Sequence, residues 1–275
     1  MSKKENNNTL VKNATFLMVA ALISKIIGML YKSPLTTLIG RESFACFQFA
    51  QNAYFILLMI ASFSIPQAVS KIMSERIAFK RYRDAQRVFK GALLYAVIAG
   101  GIAALVCIFG ASILVPDNMA NARLALQMLA PTIFVSGILG VFRGYFQAYR
   151  NMLPTSISQI LEQIAVATVA LLASGFMVHH FANAGEDTLQ RWSAAGATMG
   201  TGAGVCTAFL FMLFVYRVNH KTIAKKIKND RVSVNESYHS IMKIILLIAA
   251  PIILSAFIYN VNGYINGVMY TSILG

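Results

Sequence analysis

The sequence predicts an all-α fold, a polytopic bundle of transmembrane helices. Hydrophobic residues make up 57% of the 275 residues and charged residues 12%, whereas soluble domains usually carry about 25% charged residues. Apolar runs recur along the whole chain, and about 20 helical residues suffice to cross a bilayer core. Because backbone amides inside lipid must be satisfied within the segment, we expect each run to be a helix.

The apolar runs give about seven predicted spans. They cover residues 15–39, 44–69, 91–115, 124–147, 154–181, 193–216 and 241–273. Short connections on one side predict that consecutive helices pack as antiparallel neighbours. The long charged connection 217–240 is the only candidate linker, and it separates six spans from the seventh. The last span ends without a polar tail, so we expect the chain to be the front part of a longer polypeptide.

Basic residues alternate between the two sides of the predicted bundle. Nineteen of the 24 lysines and arginines fall in the N-terminal tail and in the second, fourth and sixth connections. Three, Arg41, Arg123 and Arg191, fall on the opposite side. This asymmetry follows the positive-inside rule and places the N-terminus in the cytoplasm. Topology therefore accounts for the net charge of +14 without nucleic acid as a partner.

Two lysines lie within the first predicted span, where charge is costly. Lys25, Gly28 and Lys32 are spaced i, i+3, i+7, so they share one stripe of a helix. A cation near the bilayer centre costs roughly 2.5–3.5 kcal/mol on insertion scales. Two interpretations stay open: the lysines extend to opposite headgroup layers, or they face a polar cavity that holds an anion. Pro34, just after this stripe, is expected to bend the helix.

Small residues and prolines predict how other spans pack and bend. Gly196, Gly200 and Gly204 recur every four residues in the sixth span, which favours close approach of a neighbouring backbone. Pro131 and Pro251 are expected to bend or interrupt their spans.

The fifth predicted span has the clearest polar face. It consists of Thr155, Ser158, Gln159, Glu162 and Gln163, which fall at helical spacing. At 1.5 Å per residue, Glu162 lies about 12 Å into the helix. Two interpretations stay open: neighbouring helices satisfy its carboxylate, or it lines a cavity, where it pairs with a first-span lysine or titrates as a proton site.

Three other spans also carry aligned polar residues. Gln48, Gln51 and Asn52 share one face of the second span, where interhelical hydrogen bonding and cavity lining are equally open. Arg143 and Arg150 end the fourth span, where they either anchor the topology or recruit an anionic headgroup. A polar line in the seventh span is typical of an interrupted helix beside a passage. It consists of Ser255, Tyr259, Asn262 and Asn266.

Little in the sequence indicates enzyme chemistry. No His, Cys, Asp or Glu spacing fits a metal site, no glycine-rich loop fits a phosphate group, and no serine or cysteine has a base beside it. Cys46, Cys107 and Cys206 lie in separate apolar segments, which predicts small buried residues rather than a disulfide framework. We predict a non-enzymatic protein without a metal or cofactor.

Several sequence runs resemble one known superfamily. RGYFQ at residues 143–147 and NMLPTSISQILEQ at residues 151–163 resemble the fourth-to-fifth helix region of oligosaccharidyl-lipid flippases. SIPQAVSK at residues 64–71 resembles a motif that closes the second helix of these proteins, and SKIIG at residues 24–28 resembles a motif of their first helix. The chain thus resembles the multidrug/oligosaccharidyl-lipid/polysaccharide exporter (MOP) superfamily. It is most similar to the stage V sporulation protein B-like group, which is related to the MurJ-type lipid II flippases.

The resemblance implies two related six-helix lobes that face each other. Residues 1–216 would form the N-terminal lobe, 217–240 a cytoplasmic basic linker, and 241–275 the first helix of a second, truncated lobe. Such proteins move polyprenyl-diphosphate-linked sugars outward across the bacterial cytoplasmic membrane by alternating access. MurJ-type members have Arg-Asp where Tyr31-Lys32 stands here, and their second-helix arginine has no obvious equivalent in this chain.

By this resemblance, we expect the chain to be the N-terminal lobe of a flippase for a lipid-linked oligosaccharide or lipid II. Lys25 and Lys32 would contact the diphosphate as point charges, and Arg143 would recruit the headgroup. Other cavity-lining residues would be Gln48, Asn52, Gln159, Glu162 and Gln163. Gly28 and Pro34 would let the first helix bend as the lobes move. The partners would be the lipid-linked diphosphate and membrane lipids, with coupling to a cation or to the membrane potential left open.

Two rival functions use the same sequence features differently. A cation-coupled multidrug exporter of the same fold would favour intramembrane acids, whereas this chain offers two lysines against one glutamate. A non-transporting membrane scaffold for envelope assembly would tolerate the loss of both lysines.

Overall fold

The computed structural model is all-helical. It describes the backbone of residues 3–59, 62, 64–234 and 236–274, and the side chains from residue 15 onward within these ranges except 222, 256–257, 259–268 and 270–274. These residues form ten α-helices and no strand. The helices are α1 (Lys3–Leu30), α2 (Lys32–Ile39), α3 (Arg41–Leu58), α4 (Ile65–Ala78), α5 (Tyr82–Phe109), α6 (Ala111–Leu114), α7 (Ala122–Ala148), α8 (Leu153–His180), α9 (Glu186–Lys228) and α10 (Tyr238–Leu274).

Six segments of the described chain are long and apolar enough to cross a membrane. They are the end of α1 together with α2, then α5, α7, α8, most of α9 and the first half of α10. This result confirms the predicted fold class of a polytopic helical bundle, and the chain is a multi-pass membrane protein.

The second predicted span, residues 44–69, is not one regular helix. It is divided between α3 and α4, and Met59 and Ser62 lie in a wider, π-helical turn between them. Pro66 gives the physical reason, because it has no N–H to donate to the carbonyl of Ser62 and its ring displaces that carbonyl. Hydropathy carries no signal for this interruption, since residues 53–63 around it are apolar apart from Ser62.

The first predicted span is interrupted at Tyr31, between α1 and α2. The Tyr31 N–H donates to the Ile27 carbonyl at 3.2 Å, and the Leu35 N–H donates to the Tyr31 carbonyl at 3.0 Å. Pro34 cannot donate to Leu30, so the bond that would join the end of α1 to α2 is missing. Tyr31 keeps helical backbone angles, so the interruption consists of one missing hydrogen bond between the two lysines, beside the proline that predicted a bend.

Two other prolines do not end their helices, contrary to the interruption considered from the sequence. α7 runs through Pro131, and α10 runs through Pro251. A membrane helix tolerates one missing hydrogen bond where neighbouring groups compensate for it. Most of the polar line predicted in the seventh span lies outside the described side chains; these residues are Tyr259, Asn262 and Asn266.

α7 packs against α3, α4, α5 and α9 and holds the bundle together. Its glycines face the π-helical turn. A Cβ atom on Gly144 would lie 2.7 Å from the Pro66 carbonyl oxygen, and one on Gly137 would lie 3.1 Å from Ser62 Oγ. The absence of side chains at these positions lets α7 approach the irregular backbone closely.

The glycine stripe of α9 packs against α8. A Cβ atom on Gly200 would lie 2.6 Å from the Val166 carbonyl oxygen, and one on Gly196 would lie 3.1 Å from the Ala173 carbonyl oxygen. The predicted close packing of the sixth span is confirmed.

The predicted linker, residues 217–240, is partly helical. α9 continues to Lys228, and α10 begins at Tyr238. Ile241 and Ile245 of α10 are fully buried, and a Cβ atom on Gly91 of α5 would lie 3.2 Å from Ile241. The start of α10 therefore packs against the preceding bundle.

The connection between α9 and α10 is docked on the turn between α4 and α5 through an ionic cluster, here called the clamp. Asp84 accepts hydrogen bonds from the N–H groups of Val234 at 3.0 Å and Glu236 at 3.2 Å. Glu236 forms ion pairs with Arg81 at 2.6 Å and Arg76 at 3.1 Å. The clamp holds the connection between α9 and α10 in place against the turn between α4 and α5.

Candidate functional site

A cavity of about 710 Å³ is lined by residues of α1, α2, α3, α7, α8 and α9. It brings together seven of the eight residues predicted to bind substrate, together with the predicted hinge residue Gly28. The seven are Lys25, Lys32, Gln48, Arg143, Gln159, Glu162 and Gln163.

Lys25 and Lys32 lie on either side of the interruption at Tyr31 and both line the cavity. Both residues are exposed. Among the described residues, neither ammonium group has an ion-pair partner. An unpaired ammonium is costly next to acyl chains, so a polar cavity that admits water or an anion is the more favourable environment.

Arg143 and Glu162 form an ion pair in the cavity wall. Arg143 Nη2 lies 2.6 Å from Glu162 Oε2, and Arg143 Nε donates to Ser158 Oγ at 3.1 Å. The pair joins α7 to the polar face of α8. One alternative from the sequence, a pair between Glu162 and a first-span lysine, is therefore not what the structure shows. The physical reason is that α7 brings a guanidinium, a two-pronged donor, within reach of α8.

Asn52 does not line the cavity, contrary to its predicted binding role. Its Oδ1 accepts a hydrogen bond from Gln48 Nε2 at 3.4 Å, and Gln48 stands in the wall instead. The two residues are four apart on α3, so Asn52 lies one turn further along and is a direct neighbour of Gln48 on the helix surface.

Gln163 and Gly28 meet where α8 passes α1. A Cβ atom on Gly28 would lie 3.2 Å from Gln163 Oε1, so the missing side chain makes room for the amide. On the same face of α8, Gln159 Oε1 is buried and has no hydrogen-bond partner among the described residues. The polar face of α8 is therefore incompletely satisfied by the surrounding protein.

Neutral polar residues complete the cavity wall. Gln51 Nε2 donates to Thr201 Oγ1 at 2.7 Å and so links α3 to α9. Tyr54 and Ser136 line the same cavity. The spacing of the α3 glutamines signalled Gln51, but Thr201 lies among small residues without polar periodicity, and sequence reasoning missed it.

The charge balance of the wall favours anions. Lys25, Lys32 and Arg143 contribute three cations, whereas Glu162 is the single acidic side chain among the described lining residues. Among the residues that the structure describes, no group of three or more His, Cys, Asp or Glu side chains could hold a metal ion.

Comparison with known proteins agrees with this architecture. A family model described as polysaccharide biosynthesis protein matches residues 10–275. Lipid II flippase MurJ of Bacillus subtilis (strain 168) is 25% identical over 271 residues, which cover 94% of this chain and 49% of MurJ. Stage V sporulation protein B of the same organism is 25% identical over 231 residues, 81% of this chain and 43% of that protein.

The fold also matches a solved structure. The crystal structure of MATE in complex with MaD5 superposes with a TM-score of 0.68 at 15% identity, over 90% of this chain and 53% of that one. The chain therefore spans about half the length of the relatives it matches.

The bundle and its central cavity define a membrane protein with the fold of the MOP superfamily, as the sequence resemblance predicted. The chain belongs to the polysaccharide biosynthesis protein family, whose model matches nearly its whole length.

Proposed function

We propose that this chain forms the first lobe of a flippase that carries a polyprenyl-diphosphate-linked saccharide, such as lipid II, across the cytoplasmic membrane by alternating access. The observation that carries the proposal is the cationic cavity, with Lys25, Lys32 and Arg143 set against one glutamate among the described lining residues. The relationship to MurJ supports the same class of substrate.

The chemistry of the substrate fits the chemistry of the wall. A diphosphate diester carries negative charge on oxygens that only accept hydrogen bonds, and ammonium, guanidinium and amide N–H groups donate them. The two lysines act as mobile point charges, and Arg143 acts as an oriented donor. Gln159 and Gln163, on α8, offer amides to the polar headgroup. In this proposal the polyprenyl chain stays in the lipid.

The interruption at Tyr31 supplies the flexibility that alternating access requires. Gly28 and Pro34 flank it, and one regular hydrogen bond of the helix is missing there. We propose that α1 and α2 change their relative angle at this point, so that Lys25 and Lys32 move with respect to each other as the lobes rock.

A cation-coupled drug exporter is the second candidate, and the similarity of fold to MATE favours it. An organic cation in this cavity would meet three basic side chains, and the carboxylate of Glu162 is already bound to Arg143. The charge balance therefore ranks this candidate below the flippase.

A proteoliposome assay of lipid II accessibility tests the proposal, with the full polypeptide that the gene encodes. At lipid II concentrations below saturation, the Lys25→Ala/Lys32→Ala double variant should translocate at least about ten-fold more slowly. A loss of about 1.4 kcal/mol in binding gives a factor of ten in affinity, and a charge-assisted hydrogen bond contributes about 1.5–3 kcal/mol. The matched control is Lys71→Ala/Lys228→Ala, which removes two exposed lysines outside the cavity.

Two outcomes would contradict the proposal. Translocation at the normal rate by the cavity double variant would show that the lysines do not bind the substrate. Efflux of an organic cation without movement of lipid II would favour the drug exporter.

A further inference from the structure

Arg143 is held by two partners on α8, and only one of them is charged. Its Nε donates to Ser158 Oγ at 3.1 Å, and the Ser158 hydroxyl donates in turn to the Thr155 carbonyl at 2.7 Å. Ser158 is fully buried, so this contact is protected from water. Ser158 therefore holds the guanidinium through a second contact, separate from the one to Glu162.

The contact between Arg143 and Glu162 is accessible from the cavity. The two side chains are 16% and 19% exposed, and both line the wall. A ligand in the cavity can therefore reach the guanidinium from the side where the carboxylate now binds. At an intermediate dielectric such a pair is stronger than a surface ion pair, yet it remains open to competition by another anion.

We propose that Glu162 is a resident anion, which occupies Arg143 while the cavity is empty and is displaced by the diphosphate of the substrate. This inference rests on the proposed function and concerns its regulation. Carboxylate and phosphate oxygens suit the same guanidinium fork, so one replaces the other without a new donor. Ser158 keeps the guanidinium in place during the exchange.

The exchange limits how tightly the substrate binds. The apparent affinity of a ligand falls when the competent form of its site is only partly populated, and here the competent form is Arg143 without Glu162. After the substrate leaves, the carboxylate neutralises the guanidinium again. The cavity then returns to its empty state without an unpaired charge at Arg143.

Binding measurements on the 275-residue chain in nanodiscs of zwitterionic lipid test this inference. The probes are inorganic diphosphate and undecaprenyl diphosphate, which separate recognition of the free anion from recognition of the lipid-linked one. The Glu162→Gln variant should bind at least five-fold more tightly than the wild type, because an amide carries no charge to compete. Glu186→Gln, at the exposed start of α9, is the matched control and should bind like the wild type.

A double-mutant cycle with Arg143→Ala separates competition at Arg143 from a general change in cavity charge. In the Arg143→Ala background, Glu162→Gln should give no further gain in affinity. An equal gain in both backgrounds, or unchanged or weaker binding by Glu162→Gln alone, would overturn the inference. Thermal unfolding checks that each variant is folded.

The result also separates this inference from the proposed function. If the wild type and Glu162→Gln bind equally while the cavity lysines remain essential for lipid II translocation, only the resident anion is wrong. If no variant binds either diphosphate, both the inference and the flippase proposal fall.

Discussion

Gly144 lies where α7 packs closely against the first turn of α4. Its missing side chain leaves room for the backbone of Pro66, because a Cβ atom there would lie 2.7 Å from a carbonyl oxygen and 3.1 Å from Cα. Backbone atoms cannot move aside as the end of a side chain can. The position therefore limits how closely α7 can pack against the start of α4.

Gly144→Ala should lower stability by about 1–3 kcal/mol, the usual cost of forcing a methyl group into a packed interface. Gly101→Ala is the matched control, since a Cβ atom at Gly101 of α5 meets nothing within 4 Å, and a helical glycine usually gains about 0.5–1 kcal/mol on replacement by alanine. Thermal unfolding in detergent compares the two. Equal melting temperatures would contradict this account of the interface.

Single residues differ in how far the sequence predicts their place. The spacing of Lys25 and Lys32 and the polar face of α8 are local patterns, and the structure places both at one cavity. The partner of Glu162 is Arg143 on another helix, and no local pattern contains that information. Asn52 shares a helix surface with Gln48 but is not among the residues that line the cavity, and the spacing alone does not show where the cavity wall ends.

At the level of elements, hydropathy predicts most spans but not their interruptions. Pro66 follows a π-helical turn and lies in the first turn of α4, whereas α7 continues through Pro131. The same residue type removes one hydrogen bond in both cases. The residue type therefore does not tell from a single sequence which of the two spans is interrupted.

The connection between α9 and α10 is a second feature that the sequence does not reveal. Besides the clamp, Asp230 holds it by accepting a hydrogen bond from the Arg83 N–H at 2.8 Å. Burial alone raises the pKa of Asp230, but hydrogen bonds from the Ser233 hydroxyl and from the N–H groups of Arg83, Val232 and Ser233 outweigh it. The pKa of Asp230 therefore lies below its ordinary value. A segment predicted as a basic linker is thus held partly by carboxylates.

Acid should loosen this segment. Because the folded-state pKa of Asp230 is lowered, its contribution is complete above the unfolded value, about 3.9, and is lost as pH falls through the folded value. A spin label on Val234→Cys, which is 74% exposed, in a background that lacks the exposed Cys206, reports this motion. The label should be immobile at pH 7 and mobile in strong acid.

The control for the acid experiment is Asp230→Asn, which should give a mobile label already at pH 7. A label that remains immobile in this variant would show that Asp84 and Glu236 suffice to hold the connection.

At the scale of the whole molecule, the cavity wall comes from a chain about half as long as its relatives. Alternating access in the proposed mechanism needs a second lobe opposite α1 and α3. The residues that contact an anion and the residues that close over it would then lie in different halves.

We therefore expect the 275-residue chain alone to bind diphosphate but not to translocate lipid II. Binding needs only the lysines and Arg143, whereas translocation needs the facing wall. Diphosphate binding in nanodiscs tests the first expectation, and the accessibility of lipid II in proteoliposomes tests the second. Both are measured on the same preparation. Translocation by the chain alone would contradict the two-lobe arrangement.

α9 runs without interruption from Glu186 to Lys228, past the cavity at Thr201 and on to the connection held by the clamp. From Thr201 to its end the helix measures about 40 Å at 1.5 Å per residue. Such a helix can act as a lever that pivots where the glycines of α9 pack against α8. A tilt of about 5° at that crossing would move the far end of α9 by about 3–4 Å, so in the proposed mechanism a small rearrangement around the substrate would be magnified at the start of α10.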